Sequence, residues 1–290
     1  MTNATATTTK PTRNDRKMTQ VPSTASAETI AEDTLHKPVT IVAVGRQRVG
    51  KTTLLNAITQ FYRGQGADIR IWNADLQNAT NHLGMYHEDA DTSPPGSFQD
   101  TSRWLEHRIR DQVKNRYDAI LDVGGGETVL NRLAKELRLV EALERRGIRM
   151  VSIHVLGPDP ADLDYLARFM QTEMFTPKAT LIVLNEGLVT SGATAEVAFD
   201  AIYRHPALLE AVTRGAEVLM LPVLSCMPEI TSRGLGFADF ANGAQAEGHE
   251  ETSFFDTERT ALWWEREMPV FFGKIPAQWL PRVQAQAEAA

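Results

Sequence analysis

Apolar and polar positions alternate along most of this chain in two periods, and the two take turns. Val39 to Val44 (VTIVAV) is a short β-branched apolar run, the mark of a parallel strand buried on both faces. It ends at Gly45, and Lys51 to Tyr62 then carries apolar residues at helical spacing through Leu54, Ile58 and Phe61, stopped by Gly64 and Gly66. A strand is predicted at Ile69 to Trp72, a polar Pro-rich loop over 89–97, and a basic helix on Leu105, Ile109 and Val113. Ala119 to Val123 reads as a strand, and Val129, Leu133, Leu137 and Val140 mark one helix closed by Gly147. Strands follow at Met150 to Leu156, Thr180 to Leu184 and Val218 to Val223. Helices fall between them on Leu163, Leu166 and Met170, and over Ala193 to Tyr203. Near the C-terminus the pattern weakens, with helices expected near Thr257 to Glu267 and after Pro276. This alternation predicts a doubly wound α/β fold, a mostly parallel sheet with helices on both faces.

Residues 1–36 break the pattern. Ten are threonine, none is aromatic, and Val21, Ile30 and Leu35 are the only large branched aliphatics. Too little apolar area is present to offset the entropy of ordering, so a disordered tail is expected, followed by a single domain over 37–290 with a helical C-terminal extension over 255–290. The segment lacks the apolar core of a signal peptide, and its acidic residues Asp15, Glu28, Glu32 and Asp33 argue against a transit peptide.

Composition narrows the class of protein. The 290 residues are 42% hydrophobic and carry 30 Lys and Arg against 37 Asp and Glu, a net charge of −7. That excludes a dominantly basic nucleic-acid coat. A lone cysteine, Cys226, excludes a disulfide framework and fits a reducing compartment, and no apolar run reaches membrane-spanning length. A cytoplasmic protein without a membrane anchor is expected. The seven histidines and Cys226 show no metal-ligand spacing.

One motif carries specific chemistry. Gly45-Arg46-Gln47-Arg48-Val49-Gly50-Lys51-Thr52 satisfies G-x-x-x-x-G-K-[ST] between a strand and a helix, where a phosphate-binding loop must sit, and Thr53 follows it into the helix. Loop N–H groups and the helix N-terminus would cradle phosphates, Lys51 would neutralise the β- and γ-phosphates, and the Thr52 hydroxyl would ligate Mg²⁺. Asp122, ending the strand 119–121 before Val123-Gly124-Gly125-Gly126, is expected at the metal site, where its carboxylate can hold a Mg²⁺-bound water; capping the next helix is its ordinary alternative. Gly124 lets backbone approach the γ-phosphate. Asp75, just past the strand 69–72, would position or deprotonate the attacking water, or merely form an Asx turn.

With these residues in place, the chain resembles the ParA/MinD family of deviant Walker ATPases, within the SIMIBI class of P-loop NTPases. More loosely it is similar to plasmid stability and conjugation ATPases of the StbB/TraL type. The resemblance spans about 185 residues, from Thr40 to Leu224. The family loop reads K-G-G-x-G-K-T, so Arg46, Gln47 and Arg48 stand at its K-G-G positions. Its D-x-D-P-Q segment corresponds to Asn73-Ala74-Asp75-Leu76-Gln77, which keeps only the second aspartate. The resemblance implies that Asn185 hydrogen-bonds adenine, that Pro222 lies near the base, and that Arg46 replaces the lysine reaching the partner's phosphates in an ATP-dependent homodimer. Arginine keeps that charge and adds a planar fork. Asp122-Val-Gly-Gly also fits the D-x-x-G of GTPases, but Asn185-Glu186-Gly187-Leu188 lacks the lysine and aspartate of a guanine reader, so ATP is expected.

The function so implied is a slow, partner-stimulated ATPase switch, a hydrolase acting in plasmid partition or conjugative transfer with a small DNA-binding or transfer-machinery protein. The alternatives are a metabolic kinase or ATP-dependent ligase on the same scaffold, or a nucleotide-binding adaptor with negligible hydrolysis. Two basic clusters, Arg103, Arg108, Arg110, Lys114 and Arg116, then Arg132, Lys135, Arg138, Arg145, Arg146 and Arg149, could hold DNA nonspecifically. Interleaved acids (Glu106, Asp111, Glu136, Glu141 and Glu144) favour a solvated face. The C-terminal aromatics Phe254, Phe255, Trp263, Trp264, Phe271, Phe272 and Trp279 read as core, with a partner surface as the second option.

Overall fold

A computed structural model describes residues 1–2, 37–75, 82–124, 128–171, 177–189 and 192–283. The tail expected to be disordered, the segment from Leu76 to Asn81, Gly125, Gly126 and the last seven residues lie outside that set. The chain divides into two units, Met1–His36 and Lys37–Ala290, and the architecture below is that of the second.

Seven strands form one sheet in the order β3-β2-β4-β1-β5-β6-β7. They are β1 (Val39–Val44), β2 (Ile69–Asn73), β3 (Asp91–Thr92), β4 (Asp118–Asp122), β5 (Arg149–Leu156), β6 (Ala179–Asn185) and β7 (Glu217–Leu221). Every pairing is parallel. All six residues of β1 are buried, because parallel strands joined by helical crossovers are covered on both faces. Along β5 the two faces separate residue by residue. Val151, Ile153 and Val155 join the core that holds Leu54, Leu55 and Ile58 of α1 (Lys51–Gly64), while Met150 and Leu156 pack on the other side.

That other side is covered by α2 (Phe98–Asn115), α3 (Thr128–Leu137), α4 (Leu139–Arg145), α5 (Pro160–Gln171) and the short α6 (Ala195–Ala198), α7 (Asp200–Tyr203) and α8 (Pro206–Thr213). On the α1 side, α9 (Met227–Arg233), α10 (Phe237–Ala241), α11 (Phe254–Leu262), a π-turn at Trp263–Glu267 and α12 (Met268–Gly273) complete the layer. Trp263, Phe271 and Phe272 are buried there, so most of the C-terminal aromatic group is core; Phe254 and Phe255 are exposed.

Four local expectations change. The single helix expected over 129–147 is two, broken at Arg138 in the left-handed region (φ 46°), and Leu137 is exposed rather than facing the core. The helix expected over Ala193–Tyr203 is the pair α6 and α7, broken at the fully buried Phe199. The Pro-rich loop over 89–97 contains the two-residue edge strand β3, and after Pro276 the described residues hold a 3₁₀ turn at Ala277–Trp279 and no α-helix, the stretch beyond Val283 lying outside them. The chain beyond that turn is fastened to the sheet where Asp118 accepts hydrogen bonds from Val39 N and Arg282 N, each at 2.7 Å.

Candidate nucleotide site

The loop between β1 and α1 is shaped by its two glycines. Gly45 has φ +144°, and a Cβ there would lie 2.8 Å from the Val155 carbonyl oxygen, so β5 packs directly under the loop. Gly50 has φ +99°, and a Cβ there would meet the Asn185 amide at 2.6 Å. No side chain caps α1 at Gly50, and its first turn carries no acid. The N–H groups of that turn and the positive end of the helix are therefore available to an anion. Lys51 is buried and folds back over the loop, its Nζ donating to the carbonyls of Gly45 (3.0 Å) and Arg46 (2.8 Å).

Two carboxylates converge beside it. Asp122, at the end of β4 next to β1, accepts a hydrogen bond from Thr52 Oγ1 at 3.2 Å and is 1% exposed. Asp75 presses against Gly124: a Cβ on Gly124 would stand 2.5 Å from Asp75 Oδ1. Burial first, and the charge of Asp75 second, push the Asp122 carboxyl up to about 7. A divalent cation at Thr52 and Asp122 would relieve both penalties. Among the described residues no three His, Cys, Asp or Glu side chains gather as a metal cage. Mg²⁺ held by a hydroxyl, one carboxylate, waters and substrate phosphates needs no such cage.

The Asp122 shift has a consequence for stability. The native state holds this proton where the unfolded chain has released it, so the stabilisation is full below about pH 4 and lost as pH rises through about 7. Without Mg²⁺, thermal or urea unfolding should show Asp122→Asn losing less stability than the wild type across that window, by on the order of 3 kcal/mol. Equal pH profiles would contradict the assigned burial.

Asn73 holds the backbone at Asp75. Its Oδ1 accepts from Asp75 N at 3.2 Å, and its Nδ2 meets His82 Nδ1 (3.3 Å) and Thr92 Oγ1 (3.4 Å). The Asx turn leaving β2 thus belongs to Asn73, leaving the Asp75 carboxylate to face Gly124.

A cleft of about 690 Å³ opens beside Gly50, walled by Thr53, Asn185, Leu188, Pro222, Met227 and Trp263 among others. Asn185 donates from Nδ2 to the Val49 carbonyl (2.9 Å) and accepts from Gly187 N (3.0 Å), tying the end of β6 to the loop. An Asn amide has four hydrogen-bonding positions, so one N–H and one lone pair remain. Trp263 Nε1 donates to the Pro222 carbonyl at 3.0 Å, which brings a C-terminal tryptophan to the cleft wall. Nothing local in the sequence marked Trp263 or Met227 for that place.

Arg46 does not extend away from its own chain. Its Nη1 donates to Asp159 (2.8 Å) and Asp162 (3.1 Å), and these carboxylates raise the guanidinium's pKa further. Asp162 is fixed independently, accepting from Gly157 N at 2.7 Å. Gln47 and Arg48 lie exposed on the loop, Arg48 at φ +64°. The basic clusters are partly consumed locally: Arg108 pairs with Asp91, Arg132 with Glu136, and Arg116 donates to the carbonyls of Arg146 and Gly147. Among the described residues no helix is long and apolar enough to cross a membrane.

No protein-family model matches the chain, and no curated protein does. Solved structures similar to it include the MinD cell division protein of Aquifex aeolicus, 13% identical with a TM-score of 0.40, covering 80% of this chain and 97% of that one. The cell division protein FtsY of Thermotoga maritima is 13% identical, with a TM-score of 0.38 over 79% of this chain and 69% of that one. The signal recognition particle receptor FtsY of Elizabethkingia anophelis, solved in complex with GDP, is 12% identical, with a TM-score of 0.43 over 79% of this chain and 64% of that one.

Proposed function

We propose that the chain is a Mg²⁺·ATP-binding switch that hydrolyses ATP slowly and dimerises when ATP is bound. The observation that carries this reading is the Thr52–Asp122 contact beside the uncapped start of α1, with Lys51 in the same loop. In the reading, Lys51 exchanges its two loop carbonyls for the β- and γ-phosphates, and the N–H groups from Gly45 to Thr53 hold the phosphate oxygens. Mg²⁺, if bound, would be held by Thr52 and Asp122 and would neutralise charge on the phosphate oxygens. Asp75, its backbone held by Asn73 and its carboxylate set against Gly124, orients the attacking water and accepts its proton in this reading. For its setting we propose plasmid partition or conjugative transfer with a small DNA-binding or transfer protein, a reading supported by the sequence resemblance alone.

The base is adenine in this reading. The described residues lining the cleft include no Asp or Glu to pair with the donor edge of guanine, while Asn185 retains one donor and one acceptor. Isothermal titration of ATP and GTP with Mg²⁺ should give saturable ATP binding and at least about tenfold weaker GTP binding. Tighter GTP binding would overturn the base assignment. Binding of neither nucleotide would overturn the function.

A further inference from the structure

Among the described residues, three positions other than glycine have a left-handed backbone, and all are arginines: Arg48 (φ +64°), Arg116 (φ +59°) and Arg138 (φ +46°). A Cβ makes that conformation unfavourable, and at the other two positive-φ positions of the β1–α1 loop the chain uses glycine, Gly45 and Gly50. Arg116 and Arg138 stand at helix ends, where such a turn stops or starts the coil. Arg116 follows α2, and its guanidinium donates to the carbonyls of Arg146 and Gly147. Arg138 precedes α4. Arg48 ends no helix. A side chain held in strained backbone without a helix to cap points to a role at a site.

The strain at Arg48 gives its side chain access to the cleft. The next residue, Val49, is buried in the core beneath the loop, whereas Arg48 is exposed and lines the cleft with Asn185, Gly187 and Pro222. Leu188 and Trp263 add apolar wall, and Asn185 keeps a donor and an acceptor for the edge of a ring. A guanidinium is planar and weakly hydrated, and it is attracted to the face of a π system. Every nucleobase presents such a face.

We infer that Arg48 is a clamp on the nucleotide base, its guanidinium lying flat on the ring while Asn185 meets the ring edge. The clamp rests on the nucleotide reading above and adds a contact that does not depend on which base is bound.

Isothermal titration of the full chain with Mg²⁺·ATP, Mg²⁺·GTP and Mg²⁺·tripolyphosphate, which carries the phosphates without a base, tests it. Arg48→Gly and Arg48→Asn both suit a left-handed backbone and remove the guanidinium. Each should weaken ATP and GTP by the same factor, about tenfold, and leave tripolyphosphate within about twofold of the parent. Unchanged nucleotide affinity in both variants would overturn the clamp and leave the nucleotide site standing. Tripolyphosphate weakened as much as ATP would overturn it in favour of a phosphate contact, and ATP weakened without GTP in favour of a contact to the ring edge. A parent that binds none of the three ligands would overturn the nucleotide reading and the clamp with it.

Discussion

Arg46→Ala should leave ATP affinity within a few-fold of the parent and abolish both the ATP-dependent dimer and hydrolysis. A cation supplied across an interface to a transferring phosphoryl group is worth about 10³ to 10⁵ in turnover, and Arg46→Lys should restore much of it, since both side chains carry the charge. In the structure Arg46 is tied to Asp159 and Asp162 of its own chain, so acting on a partner requires it to leave them. Asp159 is largely exposed and holds Arg46 weakly, whereas Asp162 is buried and fixed by Gly157 N. Movement therefore falls to Arg46. Asp159→Asn should ease that release and raise ATP-dependent dimerisation a few-fold. Sedimentation of Asp75→Ala with ATP, with and without Arg46→Ala, measures this directly, because blocked hydrolysis accumulates any dimer. A dimer unchanged by Arg46→Ala would rule out the role in trans.

Asp75→Ala and Asp122→Ala should both reduce hydrolysis, and in distinguishable ways. Asp75, whose backbone N–H is held by Asn73 and whose carboxylate faces Gly124, is the residue proposed to orient the water. Its loss should lower turnover about 10²- to 10⁴-fold with Mg²⁺·ATP affinity nearly intact. Asp122 shares the Thr52 hydroxyl, so its loss should also shift the Mg²⁺ dependence of binding to higher concentration. Steady-state phosphate release across a Mg²⁺ titration separates the two. Identical Mg²⁺ dependence in both variants would contradict the division of roles.

The shape of the β1–α1 loop, the candidate phosphate site, was legible because its geometry admits few sequences. Gly45 lies under the Val155 carbonyl and Gly50 against Asn185, and neither place tolerates a Cβ. Asp122 was legible for a related reason, as an acid ending an apolar strand before three glycines. Helix breaks were not. Leu133, Leu137 and Val140 keep helical spacing straight through the left-handed Arg138, and periodicity cannot report that Leu137 has turned to solvent. β3 is two residues long in a polar, Pro-rich stretch, too short to show any period. The partners of Arg46 lie more than 110 residues downstream, and Trp263 reaches the cleft only because α11 and α12 fold back over α1. Those contacts come from tertiary packing and leave no local trace.

The central claim is that the loop from Gly45 to Thr53 binds a nucleotide through Lys51. Isothermal titration of Mg²⁺·ATP into the full chain and into Lys51→Ala tests it. Removing a buried ammonium that meets two phosphates should cost at least about 3 kcal/mol, so the variant should bind at least about 100-fold more weakly. Circular dichroism should show the same folded state in both. Equal affinity in the parent and in Lys51→Ala would contradict the account.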